Sequence, residues 1–130
     1  MVYKSLRQVV TFRAKPKAVY HALMDSRSHS EFTGAKARIG SRPGAAFSAY
    51  DGSLSGIIVD LVPDRRIVLA WRADSWAEGD YSIARFTLTP AGKGTRVVFE
   101  QFGIPSFDYA GVRDGWRDFY WEPMRQLLEP

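Results

Sequence analysis

The spacing of polar and apolar residues changes twice along this 130-residue chain. In "SLRQVVTFRA", Leu6, Gln8, Val10 and Phe12 share one side, against Arg7, Val9, Thr11 and Arg13, a mixed alternation that predicts a strand. "KPKAVYHALMD" follows, with Pro16 near a helix start and Ala18, Val19, Ala22 and Leu23 at helical spacing. "SRSHSEF" reads as a second, short helix or turn, with Ser28 or Ser30 as its cap. From residue 36 the period becomes two. Strands are predicted at 37–39, 45–50, 54–62, 66–72, 81–89 and 95–102, separated by the turn signals "RPG", "DGS", "VPDR", "AEGD" and "TPAGKG". Val112, Trp116, Phe119, Tyr120, Pro123 and Leu127 then follow 3.6-residue spacing and predict a terminal helix.

The short gaps between strands imply antiparallel neighbours, because a parallel return needs a crossover of about a dozen residues or more. A sheet with one apolar face must cover it, and the amphipathic last helix is the natural cover. The expectation is a single α+β domain over 1–130, its curved antiparallel sheet wrapped around a long C-terminal helix, with two short helices after the first strand. Asp51-Gly52 in "AYDGSLSG" is a strong hairpin signal, and Gly56 inside the next strand predicts a bulge or sharp bend. Pro123 lacks an N–H and clashes with the carbonyl four residues back, at Phe119, so the helix is expected to bend there.

Charge and composition narrow the function classes. Eighteen basic and 14 acidic residues give a net charge of +4. They are interleaved, as in "PDRRIV" and "WRDFYWEPMR", with none of the concentrated basic stripe that nucleic-acid binding requires. No apolar stretch approaches the ~18 residues of a membrane span, and "MVYKSLRQVV" lacks the layout of a signal peptide. A cytoplasmic protein is expected, with neither nucleic acid nor membrane as partner. The absence of cysteine removes disulfides, thiolate zinc sites and thiol catalysis. His21 in the first helix and His29 in the turn after it are too few and too loosely placed for zinc, and both are expected at the surface. "GKGT" lacks the spacing of a phosphate-binding loop. No catalytic residue, metal or cofactor is assigned.

Six stretches, "FTGAKARIG", "GAAFSAYDGSLSG", "DLVPDRRIVLAWR", "SWAEGDYS", "GTRVVFEQFGIP" and "GWRDFYWEPM", run in order through residues 32–124. They resemble the C-terminal domain of the activators of the heat-shock-protein-90 ATPase, the Aha (AHSA) family. That family lies in the helix-grip superfamily of START-like and Bet v 1-like domains (SRPBCC). The resemblance implies the fold, and modulation of a heat-shock-protein-90-type chaperone in a stress response as one function. Eukaryotic activators engage the chaperone's middle segment through a separate N-terminal domain, whereas a chain of this length resembles the single-domain bacterial members. Some helix-grip relatives are cyclases or hydrolases, which implies a further alternative, an enzyme acting on polycyclic metabolites.

A dry pocket of ~300 Å³ would forfeit about 7 kcal/mol, at ~24 cal/mol per Å³ of cavity. That rivals the ~5–15 kcal/mol stability of a whole domain. The space between sheet and helix is therefore expected to be narrow: occupied by ligand or water, or closed by Trp71, Phe86, Phe99, Trp116 and Phe119. Alternation puts Leu69 and Trp71 on one face of their strand and Phe86 and Leu88 on one face of the next. With Phe47, Phe99, Gln101, Trp116, Phe119 and Tyr120 they form the expected lining for a small apolar or amphipathic ligand held by a stand-alone Aha-type protein. Gln101, an inward amide at a strand's end, either orients that ligand or bonds a loop backbone. Trp76, on a loop, and Trp121, off the inward face of the helix, either pack at the core's edge or mark a surface for a partner. That partner would be a chaperone; a homodimer would form through Trp121 or an exposed strand.

Overall fold

A computed structural model describes residues 2–130. The chain runs through β1 (Tyr3–Phe12), α1 (Pro16–Met24), α2 (Ser26–Thr33), β2 (Arg38–Ile39), β3 (Ala46–Ala49) and β4 (Leu54–Val62). It continues through β5 (Arg66–Ala73), β6 (Ser82–Ala91) and β7 (Gly94–Pro105) into a C-terminal helical segment. Each strand from β2 to β6 pairs antiparallel with its successor, as the short gaps dictate. β1 then closes onto β7, with Phe12 opposite Thr95 and Tyr3 opposite Pro105, giving the sheet order β1-β7-β6-β5-β4-β3-β2.

The sheet curves where its alternation slips. A register shift between Ile58 and Asp60 leaves Val59 out of the ladder, and another falls between Lys4 and Leu6 in β1. Gly56 is required by close approach: a Cβ there would overlap the Ala70 carbonyl oxygen and crowd the Phe47 ring. α1 starts at Pro16 and buries Val19, Ala22 and Leu23. α2 is capped by Asp25, whose carboxylate accepts the Ser28 N–H at 3.0 Å. Ser28 and Ser30, the expected caps, lie inside the helix instead, because it begins two residues earlier than Ser28.

The C-terminal segment consists of α3 (Tyr109–Trp116), one π-helical turn (Arg117–Trp121) and α4 (Glu122–Leu128). Pro123 explains the wide turn. It has no N–H to give the Phe119 carbonyl, and in α-helical geometry its ring would strike that carbonyl. The backbone opens instead, so that the Glu122 N–H reaches the Arg117 carbonyl five residues back. The freed Phe119 carbonyl accepts the Tyr50 hydroxyl at 2.6 Å.

A π-turn carries one residue more than an α-turn, so the side chains around and beyond it are rotated from the faces a continuous α-helix would give them. Tyr120, Trp121 and Met124 point into the core, while Phe119 is 56% exposed. The expectation for Phe119 as an inward residue is thus corrected. The 3.6-residue count from Val112 and Trp116 does not survive the proline.

Trp116 stands at the centre of the core. Its ring lies 4.3 Å from Phe99, 4.6 Å from Tyr120, 5.6 Å from Phe86 and 5.8 Å from Trp71. The arrangement is the helix-grip fold, α+β, with the sheet's concave face filled by the C-terminal helix. Among the described residues no helix is long and apolar enough to cross a membrane.

Candidate functional site

Burying tryptophans requires acceptors for their indole N–H groups. Trp116 donates to Gln101 Oε1 at 2.8 Å, Gln101 Nε2 donates to Ser82 Oγ at 2.9 Å, and Ser82 donates to the Trp71 carbonyl at 2.9 Å. This chain of side-chain bonds ties α3 to three central strands. Gln101 therefore neither faces a ligand nor bonds a loop backbone, which corrects both expectations for it. Trp121 donates to Gln8 Oε1 at 2.7 Å, and Gln8 in turn donates to the Arg113 carbonyl at 3.0 Å. Trp76 donates to Asp108 Oδ2 at 2.7 Å. Trp76 and Trp121 are each only 4% exposed, so neither offers the partner surface considered for it. Their polar edges find internal acceptors, and those bonds turn the rings inward.

Two voids border the helix. The deeper, about 20 Å³, lies against Phe47, Leu69 and Phe86 and has room for roughly one water molecule. The larger, about 370 Å³ and half-open to solvent, lies between α3, the Tyr50–Gly52 turn and the edges of β4 and β5. Of the residues expected as lining, Trp71, Trp116, Phe119 and Tyr120 border this larger cavity. Phe47, Leu69 and Phe86 border only the small void, and Leu88, Phe99 and Gln101 border neither, being packed into the core. The open space is thus shifted from the middle of the sheet to one end of the helix.

Among the lining residues outside the expected set, Tyr50, Asp108, Gly111 and Gly115 do most to shape the cavity. Tyr50 and Asp51 both adopt left-handed backbone, with φ of 51° and 57°, at a cost of roughly 1–2 kcal/mol per residue. Such strain persists only where the surroundings over-determine it. Here Asp51 exchanges bonds with Lys36: its N–H donates to the Lys36 carbonyl at 3.0 Å, and its carboxylate accepts the Lys36 N–H at 3.1 Å. The Tyr50 hydroxyl is fixed on Phe119, and its ring packs edge-on against Phe119 and Tyr120. Burial pushes the Tyr50 phenol up to about 12 and raises that of Tyr120 as well, so both are neutral donors at ordinary pH.

The two glycines act by omission. Each costs a helix interior about 1 kcal/mol relative to alanine. A Cβ on Gly115 would meet only the Phe119 ring, at an ordinary 3.6 Å. No neighbour demands glycine there, and a side chain at that position would enter the cavity. A Cβ on Gly111 would stand 2.9 Å from Asp108 Oδ1. The "GVRDG" spacing, four residues apart on one helix face, was the available signal for this pair. Asp108 gave no signal, because its partner Trp76 lies 32 residues away.

The family model described as activator of Hsp90 ATPase homolog 1-like protein matches residues 13–129. The chain belongs to that family. The human activator of 90 kDa heat shock protein ATPase homolog 1 is 33% identical over 118 residues, covering 91% of this chain and 35% of that protein. A Dictyostelium discoideum homologue is 30% identical over 115 residues, covering 88% of this chain and 30% of that protein. The chain spans about a third of the length of these curated relatives. An HSP90 activator from Plasmodium falciparum superposes with a TM-score of 0.89 at 20% identity over 95% of both chains. A protein from Chromobacterium violaceum does so with a TM-score of 0.80 at 26% identity over 97% of both.

In this Aha-type domain the wall residue Tyr120 rests on His29, which is 5% exposed rather than on the surface as expected. Starting α2 at Ser26 places His29 and Phe32 on one buried face against Tyr120. His29 Nδ1 lies 2.9 Å from the Leu23 carbonyl, and Nε2 lies 2.9 Å from the Tyr120 hydroxyl. A carbonyl only accepts, so Nδ1 carries the proton and Nε2 accepts from Tyr120. Burial holds His29 below the usual histidine range, partly offset by the Leu23 bond. The unfolded chain then binds a proton before the folded one does. Stability is fully present above the unfolded value of about 6.5, and falls by at most about 1.4 kcal/mol per pH unit as the pH drops below it. Urea unfolding between about pH 7.5 and 5 should show this fall in the wild type and lose His29's share of it in His29→Gln.

Proposed function

We propose that this chain binds a small hydrophobic or amphipathic molecule in the cavity between its sheet and C-terminal helix. The observation that carries this reading is a helix that leaves about 370 Å³ open beside it while holding two glycines on the cavity wall. Alanine at both positions would strengthen the helix by roughly 2 kcal/mol in propensity, and at Gly115 it would meet no obstacle. Bordered by Trp71, Trp116, Tyr120, Tyr50 and Phe119, the volume lies at the lower end of the ~300–1,000 Å³ typical of ligand sites. Being half-open it fills with water, so it carries no dry-void penalty. Displacing that water from aromatic walls is what an apolar ligand would gain.

Thermal shift and tryptophan fluorescence against a library of lipids and aromatic compounds test this. At least one compound should raise the Tm, since a ligand at about 100 times its Kd adds ~2.7 kcal/mol. Gly115→Leu, which places a side chain in the cavity, should keep the fold by circular dichroism and abolish the shift. A library without a single stabilising compound would count against the reading.

A second reading, modulation of a heat-shock-protein-90-type chaperone, is supported by the relatives named as activators of its ATPase. With Trp76 and Trp121 buried, the sheet's outer face offers an exposed apolar surface for it. Ile57, Ala70, Ile83 and Phe102 lie opposite one another across β4, β5, β6 and β7, and the three large residues stay exposed. ATPase turnover of a purified chaperone should rise when this protein is added, and Ile83→Glu should lose the effect. Unchanged turnover and no complex at tens of micromolar would end this reading.

A further inference from the structure

The cavity's chemistry points to one kind of ligand. Its lining includes two tryptophans, two tyrosines and Phe119 beside small and aliphatic residues, and among the described residues Asp108 is the one charged group in it. Aromatic faces carry negative potential and attract cations, tryptophan most of all. Asp108 is half-buried, and its Oδ2 is fixed by the buried Trp76 indole at 2.7 Å. Oδ1 takes no donor among the described residues. The absence of a Gly111 side chain leaves this second oxygen its space, since a Cβ there would stand 2.9 Å away. A carboxylate held by a buried indole, with its second oxygen unbonded and aromatic residues lining the same cavity, is an acceptor for positive charge.

Resting on the ligand-binding reading above, we propose that this cavity selects organic cations: a primary or quaternary ammonium on a compact apolar body. The ammonium sits against Asp108, and the apolar body lies between Trp71, Trp116 and Phe119. An anionic amphiphile such as a fatty acid meets the opposite situation, a carboxylate and the negative faces of the rings with no cation among the lining residues. The chain as a whole carries a net charge of +4, which disfavours diffuse cation binding and leaves the cavity as the place where it would occur.

Three probes of similar shape test this on the full chain by isothermal titration: phenyltrimethylammonium, its neutral carbon isostere tert-butylbenzene, and benzenesulfonate. The cation should bind at least about tenfold more tightly than the isostere, a difference of ~1.4 kcal/mol, and the sulfonate should not bind. Asp108→Asn keeps an oxygen for the Trp76 indole and removes only the charge, so it should erase the preference while leaving tert-butylbenzene unaffected. Gly111→Ala, whose methyl displaces Oδ1, should reduce the preference without lowering helix stability. Equal binding of cation and isostere, or a preference that survives Asp108→Asn, would overturn cation selection and leave the cavity as a general apolar site. Silence of all three probes at millimolar concentration would also overturn it, while the library screen decides the underlying reading separately.

Discussion

One missing hydrogen organises the C-terminal half of this protein. Because Pro123 cannot donate to the Phe119 carbonyl, the helix widens over Arg117–Trp121 and the carbonyl turns to the Tyr50 hydroxyl. The extra residue brings Trp121 and Met124 in beside Tyr120, against the sheet, and leaves Phe119 at the rim. In a straight α-helix Trp116 and Trp121, five residues apart, would point roughly 140° away from each other, whereas here both are buried with their indoles bonded to Gln101 and Gln8. The bond from Tyr50 also anchors a turn whose left-handed backbone is unfavourable by itself. Turn, helix and cavity mouth are therefore one mechanical unit.

That unit resolves the conflict between ligand space and stability. A dry pocket under the middle of the helix would forfeit several kcal/mol, and the structure has none: the void there is about 20 Å³. The usable volume is displaced to the end of the helix, where the cavity opens to solvent and the dry-void penalty does not apply. What remains is a modest loss of helix propensity at Gly111 and Gly115 and local backbone strain at Tyr50 and Asp51. These costs fall on residues that border the cavity or hold its mouth in place. The buried His29–Tyr120 bond supports the opposite wall from α2, so the cavity draws on three separate parts of the chain.

Much of this architecture was legible from period alone. Alternation located the strands of the sheet, and the short gaps between β2 and β7 required antiparallel neighbours. Trp71, Trp116 and Tyr120 meet at the sheet–helix contact as their local spacing requires. What escaped depends on partners distant in sequence. The pairing of Phe12 with Thr95, the Trp76–Asp108 bond and the Tyr50–Phe119 bond are invisible to any window of a dozen residues. Local sequence shows that Pro123 disturbs the helix at Phe119, but not what receives the freed carbonyl. That receiver is a tyrosine 69 positions upstream. The exposure of Phe119 and the depth at which Trp121 packs share this single origin, and His29 is buried because α2 begins at Ser26.

A double-mutant cycle between Tyr50→Phe and Pro123→Ala, read by equilibrium urea unfolding, tests this account most directly. Alanine at 123 restores an N–H able to reach the Phe119 carbonyl, so the tyrosine hydroxyl becomes dispensable. The loss from Tyr50→Phe should be about 1–2 kcal/mol beside Pro123 and smaller beside alanine by at least ~0.5 kcal/mol. Equal losses in both backgrounds would mean that the proline and the tyrosine act independently, and would contradict the account.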